Sequence, residues 1–316
     1  MTTKNILRLT ISNPRLIWQI FAYSAVSLVL LLGVAVAAGL PLVLALNADG
    51  FFTEIQTFWN SLILNANLGE IMQNSGALID GLWQIFVANG SNLIWLSAVV
   101  FFICFIVGPL ILGQLDLTIG NCLYGYMGSN SKLSFWGSFV LNIGKSFKLR
   151  LIKLFIVLPA DILIFTIMFF SLELFALGAL WAYFAPFIII LGGCVLVGLR
   201  LSLFACWTPN MIVTNQGVFR SLRENFRCGM VKFQRTAISA FVLVLIIFVL
   251  NYCFMFFTAG VALLITIPIS VLMIYIFGFV IYFQNNGLKF YVDSGTIITP
   301  KKQEFNDELS KIKHII

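Results

Sequence analysis

The chain holds a single histidine, His314, and only 10% of its 316 residues are charged. A soluble domain carries about 25% charge. With one histidine in a polar C-terminal stretch, a histidine-rich metal site is excluded and no Ser-His-Asp triad fits among the apolar segments. A P-loop, GxSxG, HExxH, and a GxGxxG followed by an acidic residue are all missing in suitable context. The sequence therefore predicts no enzyme, and no cofactor or metal is expected. The six cysteines (Cys104, Cys122, Cys194, Cys206, Cys228, Cys253) form no C-x-x-C. Most lie in or beside apolar runs, where Cys behaves as a small hydrophobe, so neither a disulfide nor a metal site is expected.

What the chain has in quantity is apolar side chain: 60% of residues, with a mean hydropathy of +1.02. That excludes an ordinary soluble enzyme, a disordered chain and a disulfide scaffold. A polytopic membrane protein remains. Residues 16–48, 81–115, 174–199 and 236–288 carry no charge, and 154–172 is interrupted only by Asp161. A helix crosses the hydrocarbon core in about 20 residues. The run 236–288 is too long for one crossing, and Thr258-Ala259-Gly260 divides it.

Six spans result, at about 17–45, 93–115, 154–172, 178–199, 236–257 and 261–283. They are expected to be helices because lipid offers the backbone no hydrogen-bond partners. The fold class is an all-α membrane bundle, residues 1–284, with an external loop 46–92 and a polar cytoplasmic tail 285–316. The first apolar stretch is much longer than a signal-peptide core and is expected to be retained.

Charge placement supports this count. In a six-span arrangement all 19 Lys and Arg fall on one side. The other side carries Asp49, Glu54, Glu70, Asp80 and Glu173. By the positive-inside rule both termini are cytoplasmic. The pI of 9.2 then calls for anionic headgroups as partners, not nucleic acid.

The external loop places Phe52, Ile55, Phe58, Trp59 and Leu62, then Ile79, Leu82, Trp83 and Phe86, at helical spacing. One or two amphipathic helices are predicted there. The two internal basic connections share the pattern aromatic-x-Ser-apolar-x-x-Asn-apolar, once with Ser138 and Asn142, once with Ser221 and Asn225. Their spacing matches the span spacing, which predicts a weak parallel internal repeat.

Each connection also reads as a cytoplasmic amphipathic helix, 134–148 and 217–233. The first has an apolar stripe of Phe135, Phe139, Ile143 and Phe147. The second has Phe219, Leu222, Phe226 and Phe233 beside a basic row of Arg220, Arg223 and Arg227. Such helices lie in the membrane interface, or pack under the bundle with a solvated basic face. Arg220, Arg223, Arg227, Lys145 and Lys148 are the candidate headgroup contacts. The Ser and Asn of the shared pattern are expected to be local caps or anchors.

Asp161 is the unusual residue. It follows Pro159 within a span, about 12 Å past Lys153 at helical rise. Intramembrane ionisable groups are costly and mark functional sites by default. Two readings stand side by side: a coupling carboxylate for protons or cations, or a lock paired with Arg200 or Asn251. Asp161, Arg200 and Asn251 form the candidate intramembrane polar site. An Arg200–Asp116 clamp is a further expectation.

The run Cys206-Trp207-Thr208-Pro209-Asn210-Met211-Ile212-Val213, with Gly217 to Leu222 and Asn225-Phe226, resembles a group of bacterial six-helix membrane proteins. That group includes uncharacterised inner-membrane proteins and the membrane domain of some glycerophosphodiester phosphodiesterases. The resemblance implies an integral protein of the bacterial cytoplasmic membrane. It does not imply the phosphodiesterase activity, because the soluble catalytic domain is absent. The expected function is transporter-like, with Asp161 as a polar site. The alternative is a membrane organiser working through its basic helices or external loop, with lipids, an unknown solute or another membrane protein as partners.

Overall fold

In the computed structural model the described part of each long apolar run is mainly helical, as a chain without water partners for its backbone requires. The structure describes residues 2–65, 83, 84, 87, 89–172, 179–230, 232–293 and 295–300. The second half of the external loop, with Glu70 and Asp80, lies outside these residues, as do Glu173 and the tail from 301 with His314.

The order is α1 (Thr2–Ile11), α2 (Pro14–Ala48), α3 (Phe51–Asn65), α4 (Gly90–Phe102), a π-helical turn (Ile103–Val107) and α5 (Gly108–Leu112). There follow α6 (Leu115–Ser129), α7 (Phe135–Phe170), α8 (Ala179–Phe204), α9 (Trp207–Thr214), α10 (Val218–Met230), α11 (Phe233–Phe257) and α12 (Leu263–Asn285). A small antiparallel hairpin closes the described chain, β1 (Phe290–Tyr291) with β2 (Ile297–Ile298).

Six helical stretches are long and apolar enough to cross a membrane: Pro14–Ala48, Gly90–Ser129, Phe135–Phe170, Phe184–Thr214, Phe233–Phe257 and Leu263–Asn285. They fit a multi-pass integral membrane protein. The predicted cut is where α11 ends: Ala259 and Gly260 both take positive φ, and Gly260 N–H donates to Met255 O at 2.9 Å. Thr258 Oγ1 then accepts from Ala262 N–H at 3.0 Å and starts α12.

The chain divides into two compact units. The first comprises residues 1–21, 114–149 and 197–316, the second 22–113 and 150–196. In the first, α12 is the most enclosed of the six spans. Its Leu272, Met273, Ile276, Phe277 and Val280 are buried, and α1, α6, α9 and α11 pack on it. The helix α1 has no counterpart among the elements the sequence predicts. It buries Ile6 and Leu9, and Thr2 Oγ1 donates to Gln284 Oε1 at 3.3 Å. Asn13 and Pro14 separate it from α2: Pro14 opens α2, and Asn13 Nδ2 bonds Leu9 O at 2.8 Å. Within the stretch expected to be a polar tail, Phe290 and Val292 are buried, and β1 packs on α6.

In the second unit the helix is interrupted around Pro109, which has no N–H to give. The π turn precedes it, and Arg150 Nε and Tyr23 Oη donate to Pro109 O and Ile111 O, each at 2.7 Å. Gly113 N–H also bonds Pro109 O at 2.9 Å, so side-chain and backbone donors together meet the carbonyls of this short helix. The predicted helix at Phe52–Leu62 is α3.

One expectation is corrected. The segment 134–148 is not a separate surface helix, because α7 runs unbroken from Phe135 to Phe170. Nothing between Leu149 and Lys153 stops a helix: there is neither Gly nor Pro, and a charge on one face does not end the ladder. In α10 the buried side is Val218, Ser221, Asn225 and Gly229, and the phenylalanines lie outside it. Phe219 is 68% exposed and Phe226 38%. Asn225 holds that side because its hydrogen bonds beyond the helix are met there.

Candidate functional site

The first unit holds most of the positive charge. Every described Lys and Arg except Arg150 and Lys153 belongs to it. Two features organise that charge: the exposed side of α10 and a cleft beside its first turn.

The position of α10 is set by three buried groups. Asn225, fully buried, accepts from Cys206 N–H at 3.0 Å and donates through Nδ2 to Leu203 O at 2.7 Å. One carboxamide therefore serves the carboxyl end of α8 and the amino end of α9, where helices leave backbone groups unpaired. Trp207, also fully buried, donates from Nε1 to Val218 O at 3.1 Å. Ser221 bonds locally, to Gly217 O and Val218 O at 3.0 Å. With that face fixed, Arg220, Arg223 and Arg227 are all exposed, flanked by Phe219 and Phe226.

The two copies of the shared Ser/Asn pattern do different work. Asn142 bonds within its own turn, to Ser138 O at 2.7 Å, whereas Asn225 reaches 19 and 22 residues back.

The cleft has a volume of about 320 Å³. Asn142, Lys145 and Lys148 line one wall from one face of α7, and Asn121 contributes from α6. The connector Asn215-Gln216-Gly217 and Val218, the first residue of α10, close it. Asn215 ends α9 in the left-handed region, φ 48°, which turns the chain into this connector. A second cleft of about 240 Å³ lies between the α1–α2 junction and α6, with Arg15 and Lys132 in its lining.

The intramembrane candidates are placed as follows. Asp161 is half-buried in α7 and belongs to the second unit. Arg200, also half-buried, and Asn251 belong to the first. Asn251 is committed to α12. It donates to Ser270 Oγ at 2.9 Å and accepts from Thr266 Oγ1 at 2.8 Å, and its Nδ2 also bonds Ile247 O. That network joins two spans through side chains a few residues either side of a tight turn. Asp116, buried in α6, accepts a hydrogen bond from the Tyr275 hydroxyl of α12.

Cys206 and Cys228 carry no spacing that predicts a meeting, yet their sulfurs lie 3.3 Å apart. Hydrogen bonding with Cys206 holds the Cys228 thiol below its ordinary range, against the upward push of burial, and Asn285 and Asn286 assist. The pair exists because α10 docks on the α8–α9 junction. Among the described residues no group of three His, Cys, Asp or Glu is placed to hold a metal ion.

No family model matches the chain, and no curated protein and no solved structure matches it either.

Proposed function

We propose that this chain is a non-catalytic, multi-pass protein of the bacterial cytoplasmic membrane that works at the inner lipid surface. Both termini are cytoplasmic in this reading. The carrying observation is the outer side of α10: Phe219 and Phe226 stand exposed next to Arg220, Arg223 and Arg227, while the opposite side is locked by Asn225. Exposed aromatics beside a basic row suit insertion among acyl chains with the guanidinium groups at headgroup level. Anionic lipids are the partners, and nucleic acid is not. The resemblance to bacterial six-helix membrane proteins agrees with this location.

The test is an environment-sensitive fluorophore on a cysteine replacing Phe219, in a chain lacking other cysteines and held in nanodiscs. With phosphatidylglycerol present, lipid-borne quenchers should reach it. Changing Arg220, Arg223 and Arg227 to Glu should return it to water. A label that stays water-exposed in both sinks the reading. Labelling from opposite sides at Glu54→Cys and Lys289→Cys checks the topology separately.

A second reading, transport, rests on Asp161. A half-buried carboxylate two positions past Pro159 in a span is a site at which a proton or cation exchanges.

A further inference from the structure

The cleft beside the first turn of α10 has a chemistry of its own. Lys145 and Lys148 sit one turn apart on α7, and both are exposed into it. Like charges at that spacing repel. Among the described residues no Asp or Glu lines the cleft to offset them. The opposite wall adds positive potential of another kind. α10 begins at Val218 with no acidic residue in its first turn, and the leading N–H groups of a helix have no earlier carbonyl to bond. Ser221 N–H is the first to turn inward, to Gly217 O at 3.0 Å.

Amides supply the rest. Asn121, Asn142, Asn215 and Gln216 are in the lining. The Gln216 amide oxygen is enclosed with no protein partner, and a buried acceptor of that kind calls for a donor from outside the chain. A hydroxyl meets that need, and an amide turned about its axis would offer N–H instead. The volume of about 320 Å³ is at the lower end for small-molecule sites, which start near 300 Å³. It accommodates a phosphate with a short polar extension.

We propose that this cleft is a receptor for a phosphate group carried on a small hydroxylated moiety, held by Lys145 and Lys148 against the first turn of α10. The phosphate comes from an anionic phospholipid headgroup or from a soluble phosphate ester of the same size. Basic pockets between membrane helices take headgroups in this way, and ammonium groups bind phosphate as point charges. The inference is independent of whether the outer face of α10 enters the membrane, because it uses Val218 and the connector before that helix together with different cations.

The experiment uses the full chain in phosphatidylcholine nanodiscs. One arm titrates glycerol 3-phosphate by calorimetry. The other introduces phosphatidylglycerol and counts retained lipid by native mass spectrometry. At least one probe should bind saturably, and which one identifies the source. Lys145→Gln with Lys148→Gln should weaken that binding about tenfold or more, as expected when two charge-assisted contacts are lost. Lys145→Arg with Lys148→Arg should retain it. Changing Arg220, Arg223 and Arg227 to Gln should leave glycerol 3-phosphate binding unchanged, which separates this site from the lipid-surface reading. Both lysines are exposed, so the Gln pair should melt like the parent, and binding by the parent should weaken as salt rises. Saturable binding of neither probe, or equal binding by the parent and the Gln pair, overturns the proposal.

Discussion

Replacing Asn225 by Ala should be among the most damaging single changes in the first unit. The side chain is fully buried and makes two bonds, from Cys206 N–H at 3.0 Å and to Leu203 O at 2.7 Å. Alanine strands the Cys206 N–H away from water, since Cys206 is itself fully buried, and takes from the half-buried Leu203 its side-chain donor. Leaving a buried polar group unmet costs about 1–3 kcal/mol. The two groups, with some relaxation, give about 3 kcal/mol, or roughly a hundredfold in the unfolding equilibrium at about 1.4 kcal/mol per tenfold. Denaturant titration in detergent, followed by tryptophan fluorescence, reads this, because Trp207 packs at the same junction.

Asn225→Asp refines the argument. The carboxylate keeps an acceptor for Cys206 N–H but faces Leu203 O with a second acceptor. It should therefore destabilise more at neutral pH than in acid, where a protonated oxygen can donate to Leu203 O. Ser221→Ala is the contrast: its hydroxyl bonds only carbonyls of the adjacent turn, and the loss should stay below about 1 kcal/mol. An Asn225→Ala variant within about 0.5 kcal/mol of the parent, well under the cost of even one stranded group, would refute the view that this amide fixes α10.

A Cβ placed on Gly278 would lie 2.5 Å from the Ala205 carbonyl oxygen, so Gly278→Ala should cost about 1–3 kcal/mol by overpacking, while Gly33→Ala, with open space around it, should be neutral or stabilising; equal melting of the two variants contradicts the packing. The Cys228 thiol lies below its ordinary 9.0, so iodoacetamide should alkylate it at lower pH than an ordinary thiol, and Cys206→Ala should move that profile upward. By linkage the stabilisation from this depressed group is present above the unfolded value and is lost as pH falls through the folded one; identical alkylation profiles with and without Cys206 exclude the pairing. Asp161→Asn should preserve folding, and under the transport reading it should abolish pH-dependent flux. Asp161→Leu should lose about 1–3 kcal/mol by leaving partners unmet, and a Leu variant with normal stability and function disposes of both roles.

The six spans were legible because the cause is local. A segment without charge, longer than the bilayer is thick, must meet its backbone hydrogen bonds within itself, and no distant residue alters that. The cut at Thr258-Ala259-Gly260 and the extent of α10 were legible for the same reason, being set by residues inside or next to each helix. Lys145, Lys148 and the three arginines of α10 could be named because basic residues next to spans stand out against an apolar background.

What periodicity could not supply was the choice of partner. It marked Phe219 and Phe226 as an apolar stripe and Ser221 and Asn225 as local caps or anchors, but not that Asn225 would fix the buried side of the helix. Asn225 meets groups 19 and 22 residues away that no pattern within α10 contains. The enclosure of α1 against α12, the meeting of Cys206 with Cys228, and the addition of Asn121 and Gln216 to the lysine cleft have the same origin. Each depends on which side chains find one another once the helices pack, and that is decided by tertiary geometry, because a hydrogen bond or a steric contact is satisfied in space and leaves no spacing in the sequence.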